Sequence, residues 1–148
     1  MATILLDTNV LVYTFDQNEP YRQGRAIDVL RQLEVTGNGR LSVQCLAEFS
    51  NIALRQLKPA MNAADTLAQV ERFQRVFPIF NITPMVVLEA LRGVRDHQLS
   101  YYDAQIWATA RLNQVPVIFS EDFHHGVLEG VNIVNPFAPN FDVGIWLN

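Results

Sequence analysis

The chain is poor in the residues and segments on which several common kinds of site depend. Cys45 is the only cysteine among 148 residues, which excludes an internal disulfide and the cysteine spacings of zinc ribbons. We expect it to be a buried core thiol. No apolar run approaches the roughly 20 residues that span a bilayer. The opening MATILLDTNV has no basic region before its apolar stretch, unlike a secretory signal. We therefore expect a cytoplasmic protein with no membrane contact.

Positive charge is also scarce. Lys58 is the only lysine, and the 11 lysine and arginine residues face 15 acidic ones, which gives a net charge of −4. Four of the acids, Asp7, Glu48, Asp103 and Asp122, stand where strands of the pattern end or helices begin. The other 11 acids balance the 11 bases, so the acidic excess has the size of this group of four. One or two bound divalent ions would cancel most of it.

Strand-like and helix-like segments alternate along the chain, which predicts an α/β fold with a parallel sheet. The strand-like segments are ATILL, RLSV, PIFNI, VPVIFS and VNIV. Helices are expected from about residue 9, from 20 to about 35, from 44 to about 57, after Asn62, after Thr83 and from Ser100 to about 113. We assign 1–148 to a single domain with a core at 1–135. The tail, 136–148, is broken by proline yet carries aromatic residues, and we expect it to pack on the body or on a partner.

The positions of the four acids predict that they meet in space. Open α/β sheets bind ligands at the carboxyl ends of their strands, so acids placed there converge in one crevice although they are far apart in sequence. Several carboxylates without a matching cluster of lysines or histidines suit a hard divalent cation with oxygen ligands. His124 and His125 follow the last acid, but a histidine pair beside a glycine is more typical of an exposed loop.

Each acid also has an ordinary structural interpretation, which the sequence leaves open. Asp7 can cap the helix that follows it, and Glu48, on a helix, can be a solvated charge. Asp103 stands three residues after Ser100, which fits a capping box at a helix start. Asp122 follows Ser-Glu, and this is common turn chemistry. No single one of these acids identifies a functional site. Their order along the chain does.

Polar neighbours of the first and last acids are candidates for supporting roles: Thr8, Asn9, Ser120 and Glu121. Thr8 and Asn9 can orient Asp7 or its loop by hydrogen bonding. Ser120 can bond a ligand carboxylate or a water molecule, and Glu121 can assist or replace the aspartate that follows it.

Four segments together resemble the motifs of the PIN domain, and more narrowly those of the VapC-type ribonuclease toxins of bacterial toxin–antitoxin pairs. LLDTNVLVY is similar to the first motif, with its aspartate at Asp7 and its asparagine at Asn9. LSVQCLAEFSN is similar to the second, LSYYDAQIWATA to the third and FSEDFHHG to the fourth, which places the remaining acids at Glu48, Asp103 and Asp122. The small hydroxyl residue of the fourth motif falls on the serine of FSED. The resemblance covers essentially the whole chain.

The resemblance implies a PIN-like three-layer sandwich, with a parallel sheet of about five strands flanked by helices, and a homodimer. It also implies an Mg²⁺- or Mn²⁺-dependent endoribonuclease that hydrolyses RNA phosphodiester bonds and is held inactive by a cognate antitoxin. In our hypothesis Asp7 and Asp103 are direct ligands of one or two ions. Glu48 and Asp122 complete the shell or orient water, and Asn9 and Ser120 support them.

Two other functions remain compatible with the sequence. One is a housekeeping RNA-processing nuclease of the same family, and the other is a PIN-like module that binds RNA or protein without turnover. Two other acid-clustering folds are disfavoured. A receiver domain uses a lysine after a late strand, whereas Lys58 lies at a helix end. A haloacid-dehalogenase-like phosphatase needs a second aspartate where Asn9 stands.

Overall fold

The computed structural model describes residues 2–123 and 125–147, which form six strands and seven helices. The strands are Ile4–Leu6 (β1), Gly39–Ser42 (β2), Ile79–Phe80 (β3), Val117–Phe119 (β4), Val127–Leu128 (β5) and Val131–Val134 (β6). The helices are Thr8–Tyr13 (α1), Pro20–Thr36 (α2), Val43–Arg55 (α3), Ala63–Val76 (α4), Pro84–His97 (α5), Tyr101–Leu112 (α6) and Val143–Leu147 (α7). His124, one of the two loop histidines considered above, lies outside the described residues, as does Asn148 at the end of the tail.

The strands form one sheet in the order β3-β2-β1-β4-β6-β5. The first five of these are parallel, and β5 alone pairs antiparallel with β6. This confirms the predicted α/β fold with a parallel sheet of about five strands. The sixth strand was not predicted, because Val127 and Leu128 stand between Gly126 and Glu129-Gly130 without the longer apolar run that marks β3 in PIFNI. Its turn is formed by Glu129 and Gly130, which both have positive φ angles, as a tight hairpin turn requires.

Local capping signals place several helix ends where the sequence predicts them. The side chain of Asn62 accepts a hydrogen bond from the backbone N–H of Asp65 at the start of α4, with an oxygen–nitrogen distance of 2.7 Å. Thr83 does the same for Val86 at the start of α5, at 3.2 Å. Gly37 ends α2 in the left-handed conformation, with φ 76°. These ends were predictable because each depends on residues adjacent in sequence.

The last residues pack onto the sheet and its first helices. Phe137 is buried and meets the ring of Tyr13 edge-on, with 5.0 Å between ring centroids. Phe141 meets Phe119 of β4 in the same way at 5.2 Å. The guanidinium of Arg25 donates to the carbonyl of Pro136 at 2.9 Å. Helix α7 in this region was not predicted, because it has only five residues and follows a proline-broken stretch.

The buried apolar residues form one continuous cluster that includes the central strands. Strands β1 and β4 are buried along their whole length, as expected of central parallel strands. Cys45 is buried beneath them, as predicted, and its thiol lies 3.3 Å from the carbonyl of Leu6. None of the helices in the described ranges is both long and apolar enough to cross a membrane.

Helices α5 and α6 pack so closely that the contact leaves no room for a side chain at Gly93. A Cβ atom at that position would lie 2.8 Å from Cζ3 of Trp107, which is fully buried. The indole of Trp107 also donates to the carbonyl of Leu128 at 3.2 Å. This contact fixes the position of α6, whose first turn carries Asp103.

The close contact generates a stability prediction. We expect Gly93→Ala to lower the free energy of unfolding by about 1–3 kcal/mol, because the added methyl group overpacks the core. Gly24 lies inside α2, where an added Cβ atom would meet nothing within 4 Å. Gly24→Ala should therefore raise stability by about 0.5–1 kcal/mol. Urea unfolding of both variants measures the difference. Equal effects at the two sites would contradict the close packing.

Candidate active site

The structure brings the four acids together in one open cavity of about 450 Å³. Asp7, Glu48, Asp103 and Asp122 all contribute to its lining. Asp7 follows β1 and Asp122 follows β4, while Glu48 lies one turn into α3 and Asp103 lies in the first turn of α6. The cavity therefore occupies the carboxyl end of the central parallel strands, which is the expected ligand-binding edge of such a sheet.

Asp7 is the most buried of the four, with 8% of its surface exposed. One carboxylate oxygen accepts from the hydroxyl of Ser120 at 2.6 Å, and the other accepts from the backbone N–H of Thr8 at 2.7 Å. The second bond makes Asp7 the N-cap of α1, so its ordinary structural role and its position in the cavity coexist. Burial raises the pKa of Asp7 to about 6 although both hydrogen bonds oppose the rise; the nearby Glu48 and Asp103 add to it.

Two further acids are held by polar residues of α1. The hydroxyl of Thr8 donates to Glu48 at 2.9 Å, so this carboxylate is not a freely solvated charge. The amide nitrogen of Asn9 lies 3.3 Å from a carboxylate oxygen of Asp122. The amide oxygen of Asn9 is buried and has no hydrogen-bond partner among the described residues.

Asp103 does not take part in the capping box that its spacing suggests. Ser100 is the N-cap residue of α6, but its side chain makes no capping hydrogen bond. That interpretation of Asp103 is therefore wrong: the sequence pattern was met, but the serine is not oriented to use it. Within the described ranges the Asp103 carboxylate makes no hydrogen bond or ion pair, and it faces the cavity.

A chain of buried amides holds the first turn of α6 against α3, and sequence reasoning missed it. The side chain of Gln44 donates to the carbonyl of Tyr102, next to Asp103, at 3.1 Å. Gln105 in turn donates to Gln44 at 2.9 Å and accepts from the hydroxyl of Tyr101 at 2.9 Å. The i,i+4 spacing of the tyrosine and Gln105 was visible in the sequence, but nothing there linked them to α3.

Glu121 does not join the other acids. It accepts from the hydroxyl of Tyr13 at 2.7 Å and from the guanidinium of Arg22 at 2.7 Å, and it is not part of the cavity lining. The expectation that Glu121 assists or replaces Asp122 is thus not what the structure shows. The two acids are neighbours in a turn after β4, and their side chains diverge.

The cavity contains a fifth acid that the sequence did not single out. Asp16 lies in the turn after α1 and lines the cavity together with Gln56 and Tyr13. Nothing in the sequence marked Asp16, because it follows a helix and not a strand. In the described part of the chain the lining has five carboxylates and no lysine, arginine or histidine.

The chemistry of this lining fits a hard divalent cation. Its donors are carboxylates and the partnerless amide oxygen of Asn9, which are the oxygen ligands that Mg²⁺ and Mn²⁺ prefer. Among residues 2–123 and 125–147 no three acidic, histidine or cysteine side chains are already gathered closely enough to form a complete site. Such spacing is compatible with Mg²⁺, which keeps several of its waters and needs only one or two direct carboxylates.

Comparison with protein-family models matches residues 4–129 to the PIN domain, so the chain belongs to the PIN domain family. Comparison with curated proteins gave no significant match.

Solved structures share the fold at low sequence identity. A toxin–antitoxin complex from Klebsiella pneumoniae is 20% identical with a TM-score of 0.61, covering 90% of this chain and 98% of that one. The sarcin–ricin-loop-cleaving toxin VapC20 from Mycobacterium tuberculosis is 19% identical with a TM-score of 0.62, covering 81% and 92%. DNA-bound VapBC from Salmonella typhimurium is 18% identical with a TM-score of 0.63, covering 90% and 97%.

The raised pKa of Asp7 generates a prediction for stability against pH. The folded protein retains the Asp7 proton between the ordinary value of 3.8 and about 6, so folding stability falls as the pH rises through that window. In chelator, we expect Asp7→Asn to be more stable than wild type at pH 7 by up to about 3 kcal/mol. Asparagine can still accept from Thr8 and bond to Ser120.

Urea unfolding at pH 4 to 7 measures this effect, and the advantage of the variant should shrink towards pH 4. Glu71→Gln, which changes an exposed acid of α4 outside the cavity, is the matched control. An Asp7→Asn advantage of the same size at pH 4 and pH 7 would indicate a better helix cap and not the loss of a buried charge.

Proposed function

We propose that this chain is an Mg²⁺- or Mn²⁺-dependent endoribonuclease, and specifically a VapC-type toxin of a toxin–antitoxin pair. The observation that carries the proposal is the set of four acids, Asp7, Glu48, Asp103 and Asp122, lining one cavity that has no basic residue in its described lining. Such a cavity repels a polyanion by itself. It becomes a phosphodiester-cleaving site when a divalent cation offsets its charge.

In this proposal Asp7 and Asp103 hold one or two ions, and Glu48 and Asp122 complete the shell or orient the attacking water. A bound ion supplies two things: it lowers the pKa of a water molecule and polarises the phosphoryl oxygen. Hydrolysis then leaves a 5′-phosphate and a 3′-hydroxyl.

The protein's own contribution is to fix the directions of the carboxylates before substrate arrives. Three of the acids are held by hydrogen bonds from Ser120, Thr8 and Asn9, which lie at the ends of the two central strands. Asp103 has no such bond among the described residues, so it loses no hydrogen bond when it binds an ion. Orientation by hydrogen-bonded neighbours is a general device of metal sites.

The toxin assignment has support from the solved structures of similar fold, which include toxin–antitoxin complexes. We propose an antitoxin protein as the partner, RNA as the substrate, a homodimer as the assembly and the cytoplasm as the location. A gene for a small antitoxin next to this one would separate the toxin from a housekeeping nuclease.

The nuclease is tested by incubating mixed cellular RNA with the protein in Mn²⁺, Mg²⁺ or chelator. We expect metal-dependent cuts with wild type, and none with Asp103→Asn, because the substitution removes a negatively charged ligand. Glu71→Gln is the control that loses one acid elsewhere and should cut like wild type. Metal binding without cleavage, in the presence of folded wild type, would favour the non-catalytic module.

A second experiment tests the supporting role of Ser120. Removing its hydroxyl frees one oxygen of Asp7 from its hydrogen bond, so we expect Ser120→Ala to weaken Mn²⁺ binding by about 10- to 100-fold. Isothermal titration with Mn²⁺ measures the affinity without relying on cleavage. The hydroxyl of Ser50 donates, within the described part of the chain, only to a carbonyl of its own helix α3, so Ser50→Ala is the matched control. Identical affinities for the two variants would exclude this role of Ser120.

A further inference from the structure

The cavity has a second end, whose lining differs from that of the four acids. It extends along α1 and α3, which lie side by side. At the end that holds the four acids, the hydroxyl of Thr8 donates to Glu48. At the other end Asn18, just after α1, donates to the carbonyl of Lys58, just after α3, at 2.8 Å. Gln56, at the end of α3, is about 12 Å from Glu48 along the helix axis.

This second end combines apolar walls with a few hydrogen-bonding groups. Val12, Ile52 and Leu57 supply the apolar surface, and Asp16 and Gln56 supply the polar groups. A concave apolar surface with few polar groups is the usual form of a small-ligand site. This end is part of the cavity of about 450 Å³ that also holds the four acids. Proteins that read single-stranded RNA take up unstacked bases and form hydrogen bonds to the edges of these bases.

The hydrogen-bonding groups at this end match the pairing edge of one base better than those of the others. Asp16 is half-buried, and among the described residues it pairs with no cation; one of its oxygens accepts from the backbone N–H of Asn18 at 3.1 Å. A carboxylate only accepts hydrogen bonds, and each oxygen has two lone pairs. Guanine alone presents two adjacent N–H donors on its pairing edge, at N1 and N2, with an acceptor at O6 beside them. The amide of Gln56 can donate to that acceptor.

We propose that this end of the cavity binds a guanine base of the RNA, close to the phosphate that is cleaved. Asp16 accepts from the N1 and N2 groups of the base, and Gln56 donates to O6. The inference rests on the proposed nuclease function and adds the base that it recognises. It gives the fifth carboxylate of the cavity a role separate from metal binding.

The first test is the sequence around the cuts made in a random-sequence RNA pool with Mn²⁺. With wild type we expect guanine to be enriched at one fixed position relative to the cut. Asp16→Asn should reduce that enrichment on the order of tenfold or more, because a bidentate contact to a base discriminates by that order. The asparagine can still accept from Asn18, so the turn is kept. Glu71→Gln should retain the enrichment, and cutting by Asp16→Asn with wild-type base preference would overturn the proposal while leaving the nuclease intact.

The second test measures the base pocket without cleavage, so that it can be judged even where no RNA is cut. The probes are guanosine, inosine and adenosine, titrated in chelator against the full chain and followed by NMR at the side-chain amide of Gln56. Inosine keeps N1–H and O6 but lacks the N2 amine. We expect guanosine to bind more tightly than inosine, inosine more tightly than adenosine, and Asp16→Asn to remove the preference for guanosine over inosine.

The two experiments separate the proposals. Absence of cleavage by wild type together with Asp16-dependent guanosine binding would reject the nuclease and retain the pocket. Equal binding of the three nucleosides, or equal binding of guanosine by wild type and Asp16→Asn, would overturn the pocket whatever the cleavage result.

Discussion

The site depends on a buried carboxylate at the end of the central strand. Asp7 emerges from β1 with its backbone N–H bonded to the carbonyl of Phe119 in β4, 2.9 Å away. The next residue of that neighbouring strand, Ser120, bonds to the Asp7 side chain. The parallel pairing of β1 and β4 therefore fixes the positions of both Asp7 and Ser120 in this hydrogen bond. An ionised carboxylate in such a place is costly, and the raised pKa of Asp7 reflects that cost.

Two arginines, Arg22 and Arg92, pair with acids outside the cavity lining. Arg92 of α5 pairs with Glu89, Asp96 and Glu129, and lies over the ring of Trp107. Arg22 pairs with Glu121, which removes that acid from the cavity and keeps the guanidinium from entering it. The fold thereby separates two kinds of charge: acids balanced by arginines at the surface, and acids of the cavity that have no protein cation beside them in the described lining.

The helices and strands could be predicted because their ends depend on local signals. The site could be predicted only in part, because its side chains also depend on long-range contacts. Asn62 and Thr83 cap helices through bonds three residues away, so their roles could be read from adjacent letters. The convergence of the four acids followed from the rule that parallel strands meet ligands at their carboxyl ends. The sequence could not distinguish Glu121 from Asp122, because which neighbour turns inward depends on Arg22, 99 residues away.

Residues that act across two elements escaped prediction for the same reason. Gln44 reaches α6 from the start of α3, and Asp16 enters the cavity only because α1 ends beside α3. Both are ordinary polar residues in their local sequence.

The electrostatics of the cavity also constrain the order of binding in the proposed function. A phosphate brought within about 4 Å of one unpaired carboxylate is repelled by about 4 kcal/mol at an effective dielectric constant of 20, and five carboxylates line this cavity. RNA therefore gains little by entering the metal-free protein, whereas a bound cation reverses the sign of the interaction. Binding of the cation and of the RNA must then favour each other by the same free energy, since such coupling is reciprocal. The proposed base-binding end fits this order of binding. It has no cation in its described lining to attract phosphate, so it can select a base only after the metal ion has allowed the RNA backbone to enter the cavity.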